Sequence, residues 1–144
     1  MVCLTRDLAT TLMMKKFLTL ILTGLFLAGC ATLEESKRQQ HFDETILLYE
    51  KSIRWGDFAS ASMFQGNGET TPEPATRFDG IRVTSYRQTS NRSLDDGNEV
   101  VLTVQIDYYH NDTLKVMSIT DVQNWKYDAG DASWRLHSPL PALR

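Results

Sequence analysis

The hydrophobic pattern changes period partway along this chain, and that change constrains the fold more than any other feature. Phe42, Ile46, Tyr49 and Ile53 recur at helical spacing and mark one face of an α-helix over Glu35 to Trp55. Leu48 is expected to widen that face, and Glu50 can pair with Arg54 across one turn. From Phe78 onward the period is two. Ile81, Val83 and Ser85 alternate with Arg82, Thr84 and Tyr86. The clearest strand places Val100, Leu102, Val104, Ile106 and Tyr108 on one face and Val101, Thr103, Gln105, Asp107 and Tyr109 on the other.

The punctuation between these runs sets their order. In "RWGDF", Arg54 to Phe58, Gly56 suits a left-handed helix C-terminus and Asp57 can cap a short second helix, about Asp57 to Phe64. That helix is expected to present Phe58, Ala61 and Met63 to the core. "QGNGETTPEPAT", Gln65 to Thr76, reads as a loop. Turns follow at Asp96-Gly97, at His110 to Asp112 and at Asp128 to Ala132, separating four strands; the third is expected over Leu114 to Tyr127 and the last over Ser133 to Ser138. Short connections make neighbouring strands antiparallel. The expected fold class is α+β: an N-terminal helix plus a short second helix packed on a curved four-stranded antiparallel meander sheet.

The head of the chain has a different character. Its apolar run, Phe17 to Ala28, is about a dozen residues, too short for a transmembrane helix and right for the core of a secretory signal. Lys15 and Lys16 supply the positive flank, and Leu27-Ala28-Gly29-Cys30 closes the run. These four residues resemble the bacterial lipobox. The resemblance implies cleavage between Gly29 and Cys30, lipidation of Cys30, and a membrane as the first partner. Met13 or Met14 gives a tidier start than Met1. Ala31 follows the lipid site where an Asp would resemble an inner-membrane retention signal, so the implied location is the outer membrane, facing the periplasm.

These readings divide the chain into a signal (1–29), a lipidated cysteine and tether (30–37), one α+β domain (38–141) and a tail (142–144). Once the signal is removed, about 115 residues remain, enough for one small core. Of the two cysteines, Cys3 leaves with the signal and Cys30 carries the lipid, so no intrachain disulfide is expected. The 15 basic and 18 acidic residues are interspersed with no Lys/Arg run, which excludes a nucleic-acid footprint.

The element order and the Arg-Trp-Gly-Asp-Phe joint resemble the cystatin-like superfamily, most closely domains like nuclear transport factor 2. The block "DVQNWKYDAGDASWRLHSPLP", Asp121 to Pro141, is similar to the closing hairpin of small lipoproteins of Gram-negative bacteria. Some domains of this kind are enzymes with an acid in an apolar cone, where desolvation raises a carboxyl pKa. The residues to examine for a pocket or binding surface are therefore Tyr108, Asp121, Trp125 and Trp134. Each has a plainer role. Tyr108 is read as a core-edge tyrosine, Asp121 as a strand aspartate paired with Arg82 or Arg135, and the two tryptophans as packing residues that could stack across the last hairpin. His41, His110 and His137 are not spaced for a metal, and no cofactor or catalytic residue is assigned. The preferred function is a non-enzymatic binding or assembly module for an envelope protein. The alternatives are a carrier of small apolar ligands or an isomerase-like or dehydratase-like enzyme in the helix–sheet cone, and a homodimer through Val101, Thr103 and Tyr109 of the outer sheet face.

Overall fold

The computed structural model describes residues 33–66 and 75–144. The signal and Cys30 lie outside the described residues, as does most of the loop after Gln65. The chain divides into two units, Met1–Arg38 and Gln39–Arg144. In the first, residues 33–38 are helical, with Lys37 3.5 Å from Glu34 and Arg38 bonded to Glu35.

The second unit is α+β: two helices and an antiparallel sheet in the order β1-β2-β3-β4. Helix α1 occupies residues 39–55. Its expected face is buried: Phe42, Tyr49 and Ile53 are at most 2% exposed and Ile46 is 9%. Leu48 does not widen it. At 54% exposure it lies on the far flank, because a helix this close to a sheet buries only one stripe. The helix ends where expected. Gly56 has φ +73°, and the Asp57 carboxylate accepts the Ser60 amide at 3.0 Å to start α2, Phe58–Ser62. Phe58 and Ala61 face the core, but Met63 does not. The helix stops one residue before it, the chain turns, and Phe64 packs inward instead.

Strands β1 (Ile81–Leu94), β2 (Glu99–His110), β3 (Met117–Asp128) and β4 (Ser133–Leu136) form the expected meander. In β2 the inward residues Val100, Leu102, Val104, Ile106 and Tyr108 are all buried. Each aliphatic among them contributes about 1.5–3 kcal/mol by leaving water. The turn between β1 and β2 puts Asp95, Asp96 and Gly97 all at positive φ, which Asp and Gly tolerate best.

Strand β1 departs from simple alternation. Val83 faces Tyr108 and Ser85 faces Asp107; Gln88 faces Val104 and Ser90 faces Thr103. Thr84 and Thr89 are therefore each one residue too many, the definition of a β-bulge. Both threonines donate their hydroxyls to β2 carbonyls, Thr84 to Asp107 at 3.1 Å and Thr89 to Thr103 at 3.0 Å. The first bulge reverses the expected facing. Tyr86 points into the core, opposite Ile106, while Ser85 moves to the outer face. Together the bulges also bring Arg82, Arg87 and Arg92 onto that outer face, since they oppose Tyr109, Gln105 and Val101.

The two sheet edges differ. Beside β4, Gly66 donates to the Leu136 carbonyl at 2.9 Å and Leu136 donates to that of Phe64 at 2.7 Å, so the chain covers that edge. Among the described residues β1 pairs with β2 alone. Residues 142–144, expected as a tail, are fastened instead: Leu143 is buried, and Tyr108 Oη donates to the Arg144 carbonyl at 3.0 Å and accepts its amide at 3.1 Å.

Candidate functional site

The inner sheet face is apolar except for one polar cluster, and α1 lies over it. β3 supplies Asp121 and Gln123, β1 supplies Tyr86 through its bulge, and α1 supplies Tyr49. Gln123 is fully buried and central. Its amide nitrogen donates to Asp121 Oδ2 at 2.8 Å. Its oxygen accepts from Tyr86 Oη at 3.2 Å and from the Trp125 indole at 3.2 Å. Burying an amide costs a few kcal/mol unless it is bonded, and these contacts meet that cost.

The electrostatics follow from burial. Desolvation raises the Asp121 carboxyl above its ordinary range, and the bond from Gln123 opposes that rise. Desolvation also raises the Tyr86 phenol, against the pull of Gln123 and with help from the Asp121 charge. The same burial pushes the Tyr49 phenol well above its ordinary range, with Asp121 and Tyr86 adding to it. Its hydroxyl is buried and has no hydrogen-bond partner among the described residues. The cluster thus holds a half-buried carboxylate, a buried amide and two phenols with little to ionise them near neutral pH.

Asp121 was expected to pair with Arg82 or Arg135. The register places it opposite Val104 on the inner face, while Arg135 bonds Asp131 at 2.6 Å and Arg82 bonds the Ile81 carbonyl. Tyr108 is the core-edge tyrosine expected, with its hydroxyl taken by the C-terminal backbone. Trp125 and Trp134 are buried but do not stack on each other. Register puts Trp125 beside Leu136 and Trp134 beside Tyr127. Both rings turn toward α1, where Trp125 meets Tyr49 edge-on at 5.2 Å and Trp134 meets Phe42 at 4.7 Å. A buried tryptophan cannot form a binding platform, so these two act in packing.

Sequence reasoning missed Tyr86 and the two-sided role of Gln123. A polar Gln on an otherwise apolar strand face was the available signal; the bulge that delivers Tyr86 left none. Ser60 and Ser62 serve α2 locally, bonding Asp57 and the Ala59 carbonyl. Among the described residues no group of His, Cys, Asp and Glu is arranged to hold a metal, and no helix is long and apolar enough to cross a membrane.

No family model, no curated protein and no solved structure matches this chain.

Proposed function

We propose that the chain is a lipid-anchored bacterial envelope lipoprotein, held in the outer membrane by Cys30 and facing the periplasm, whose domain is a binding or assembly module of the nuclear-transport-factor-2-like kind. The observation that carries the address is the sequence Leu27-Ala28-Gly29-Cys30 directly after a short apolar run with two lysines before it. Two or more acyl chains give stable anchoring without a membrane-spanning helix. The helix, Gly-Asp joint, short helix and four-strand meander are the order expected of that domain type.

The binding reading is favoured over catalysis by how the inward carboxylate of Asp121 is used. Asp121 is bonded to Gln123, and Gln123 is bonded to Tyr86 and Trp125, so its polar contacts are made within the core. One observation supports the enzyme or carrier alternative: the unpartnered Tyr49 hydroxyl near a carboxyl whose pKa is raised by burial.

The test of the address is Cys30→Ser with metabolic labelling by a fatty acid and intact mass analysis. The expected result is a chain that stays uncleaved and takes no label. A variant that still matures and still takes up fatty acid overturns the lipobox assignment.

A further inference from the structure

One apolar patch has no role in the core. Leu48 and Trp55 lie two turns apart on the solvent side of α1, at 54% and 81% exposure, and Met63, just past α2, is 74% exposed. Together with Phe64 they line a groove of about 410 Å³ between the two helices. The same groove carries one cation, Lys51, and one anion, Asp57. Lys51 has no ion-pair partner among the described residues. The Asp57 carboxylate is held in place by the amide and hydroxyl of Ser60, and these bonds keep its pKa low, so it is ionised.

The patch is complementary to itself. It sets an apolar projection, Trp55, beside an apolar groove, and it carries both an acid and a base. A two-fold interface uses one surface twice, and it requires each feature and its complement to be present on that surface.

We propose that a second copy of this chain docks on the α1–α2 groove, with the two α1 helices antiparallel about a two-fold axis between Lys51 and Ser52. This arrangement lays Leu48 of each copy on Trp55 of the other. Lys51 of one copy then stands about 4.5 Å along the axis from the other's Trp55 at a rise of 1.5 Å per residue, and Asp57 follows two residues beyond the end of that helix, within reach of a lysine. Lys51 and Ser52 stand beside the axis, the two Leu48–Trp55 contacts flank them, and two Lys51–Asp57 pairs offset the repulsion between the two lysines. The pairing is distinct from one through the outer sheet face and does not depend on the lipid anchor.

The test uses the full chain in cells. Ser52→Cys lies beside the axis, so mild oxidation is expected to give a band of twice the mass on a non-reducing gel. The unsubstituted chain and Thr103→Cys on the outer sheet face are the controls and are expected to give none. Lys51→Glu or Asp57→Lys, each combined with Ser52→Cys, places like charges together twice and is expected to lower the crosslinked fraction about tenfold or more. Co-expression of these two variants under different tags makes both contacts attractive again and is expected to restore a mixed crosslinked pair. This rescue separates an interface effect from the loss of the Asp57 cap. The absence of a Ser52→Cys crosslink overturns the proposal, as does a crosslink that ignores both charge reversals. Efficient crosslinking through Thr103→Cys alone assigns the dimer to the sheet. If crosslinking fails and Trp55 fluorescence shifts to the blue on adding phosphatidylethanolamine–phosphatidylglycerol vesicles, the patch faces a lipid surface and the proposal falls.

Discussion

Replacing Tyr49 with Phe is expected to stabilise the domain, although the same change at most buried tyrosines costs stability. The Tyr49 ring is fully buried and packs edge-on against Trp125 at 5.2 Å and Phe64 at 5.8 Å. Phenylalanine keeps the ring and both contacts. Only the hydroxyl leaves, and it has no partner among the described residues. A buried hydroxyl without a partner costs about 1–3 kcal/mol, so Tyr49→Phe is expected to gain an amount in that range. For a domain of this size 1 kcal/mol moves Tm by roughly 4 °C, which urea titration and thermal melts followed by circular dichroism resolve easily. Tyr86→Phe is the opposite case. Its hydroxyl bonds both polar atoms of Gln123, so its loss is expected to destabilise by about 1–3 kcal/mol. If Tyr49→Phe instead lowers stability by 1 kcal/mol or more (a loss as large as that expected for Tyr86→Phe), the Tyr49 hydroxyl is satisfied and the reasoning fails.

Asp121→Asn is expected to raise Tm at neutral pH and to leave it unchanged below the ordinary carboxylate range. The folded pKa is raised by burial, so stability falls as pH rises from the unfolded value through the folded one, and the amide escapes that loss. Melts of both proteins across pH 3–8 check this; a gain that persists at the acid end refutes it. Gly56→Ala is expected to cost about 1 kcal/mol in a urea titration. An added Cβ meets nothing closer than 3.9 Å, so the cost comes from φ +73° alone.

The legible parts of the fold were those where one rule acted alone. β2 has an apolar residue at every second position and no bulge, so its face could be read directly. The Phe42–Ile53 stripe and the Gly56-Asp57 joint were equally plain, since each depends on residues within a few positions. β1 was not legible because Thr84 and Thr89 look like ordinary strand threonines. Whether a residue is paired or extra depends on the partner strand, and that information is not local. The error carried into the polar cluster, because the facing of Tyr86 depends on that bulge. Leu48 and Met63 misled for other reasons: Leu48 lies beside the one stripe that α1 buries on the sheet, and Met63 falls one residue past the end of α2. Asp121 was read as a strand aspartate paired with Arg82 or Arg135, whereas it lies on the inner face opposite Val104. Gln123, two residues on along the same face, meets it at 2.8 Å without any long-range ion pair.

The unequal sheet edges bear on how such a domain behaves when many copies are crowded together. An open strand offers its amides to any passing copy and can seed ordered fibres. One border is closed by the chain's own segment beside Leu136. The other, β1, is open among the described residues yet is a poor template: two inserted threonines break its spacing, and three guanidinium groups, Arg82, Arg87 and Arg92, repel a like strand. Deleting Thr84 and Thr89 together would straighten that border, and the physical cost of regularity there would be measured as thioflavin-positive polymer.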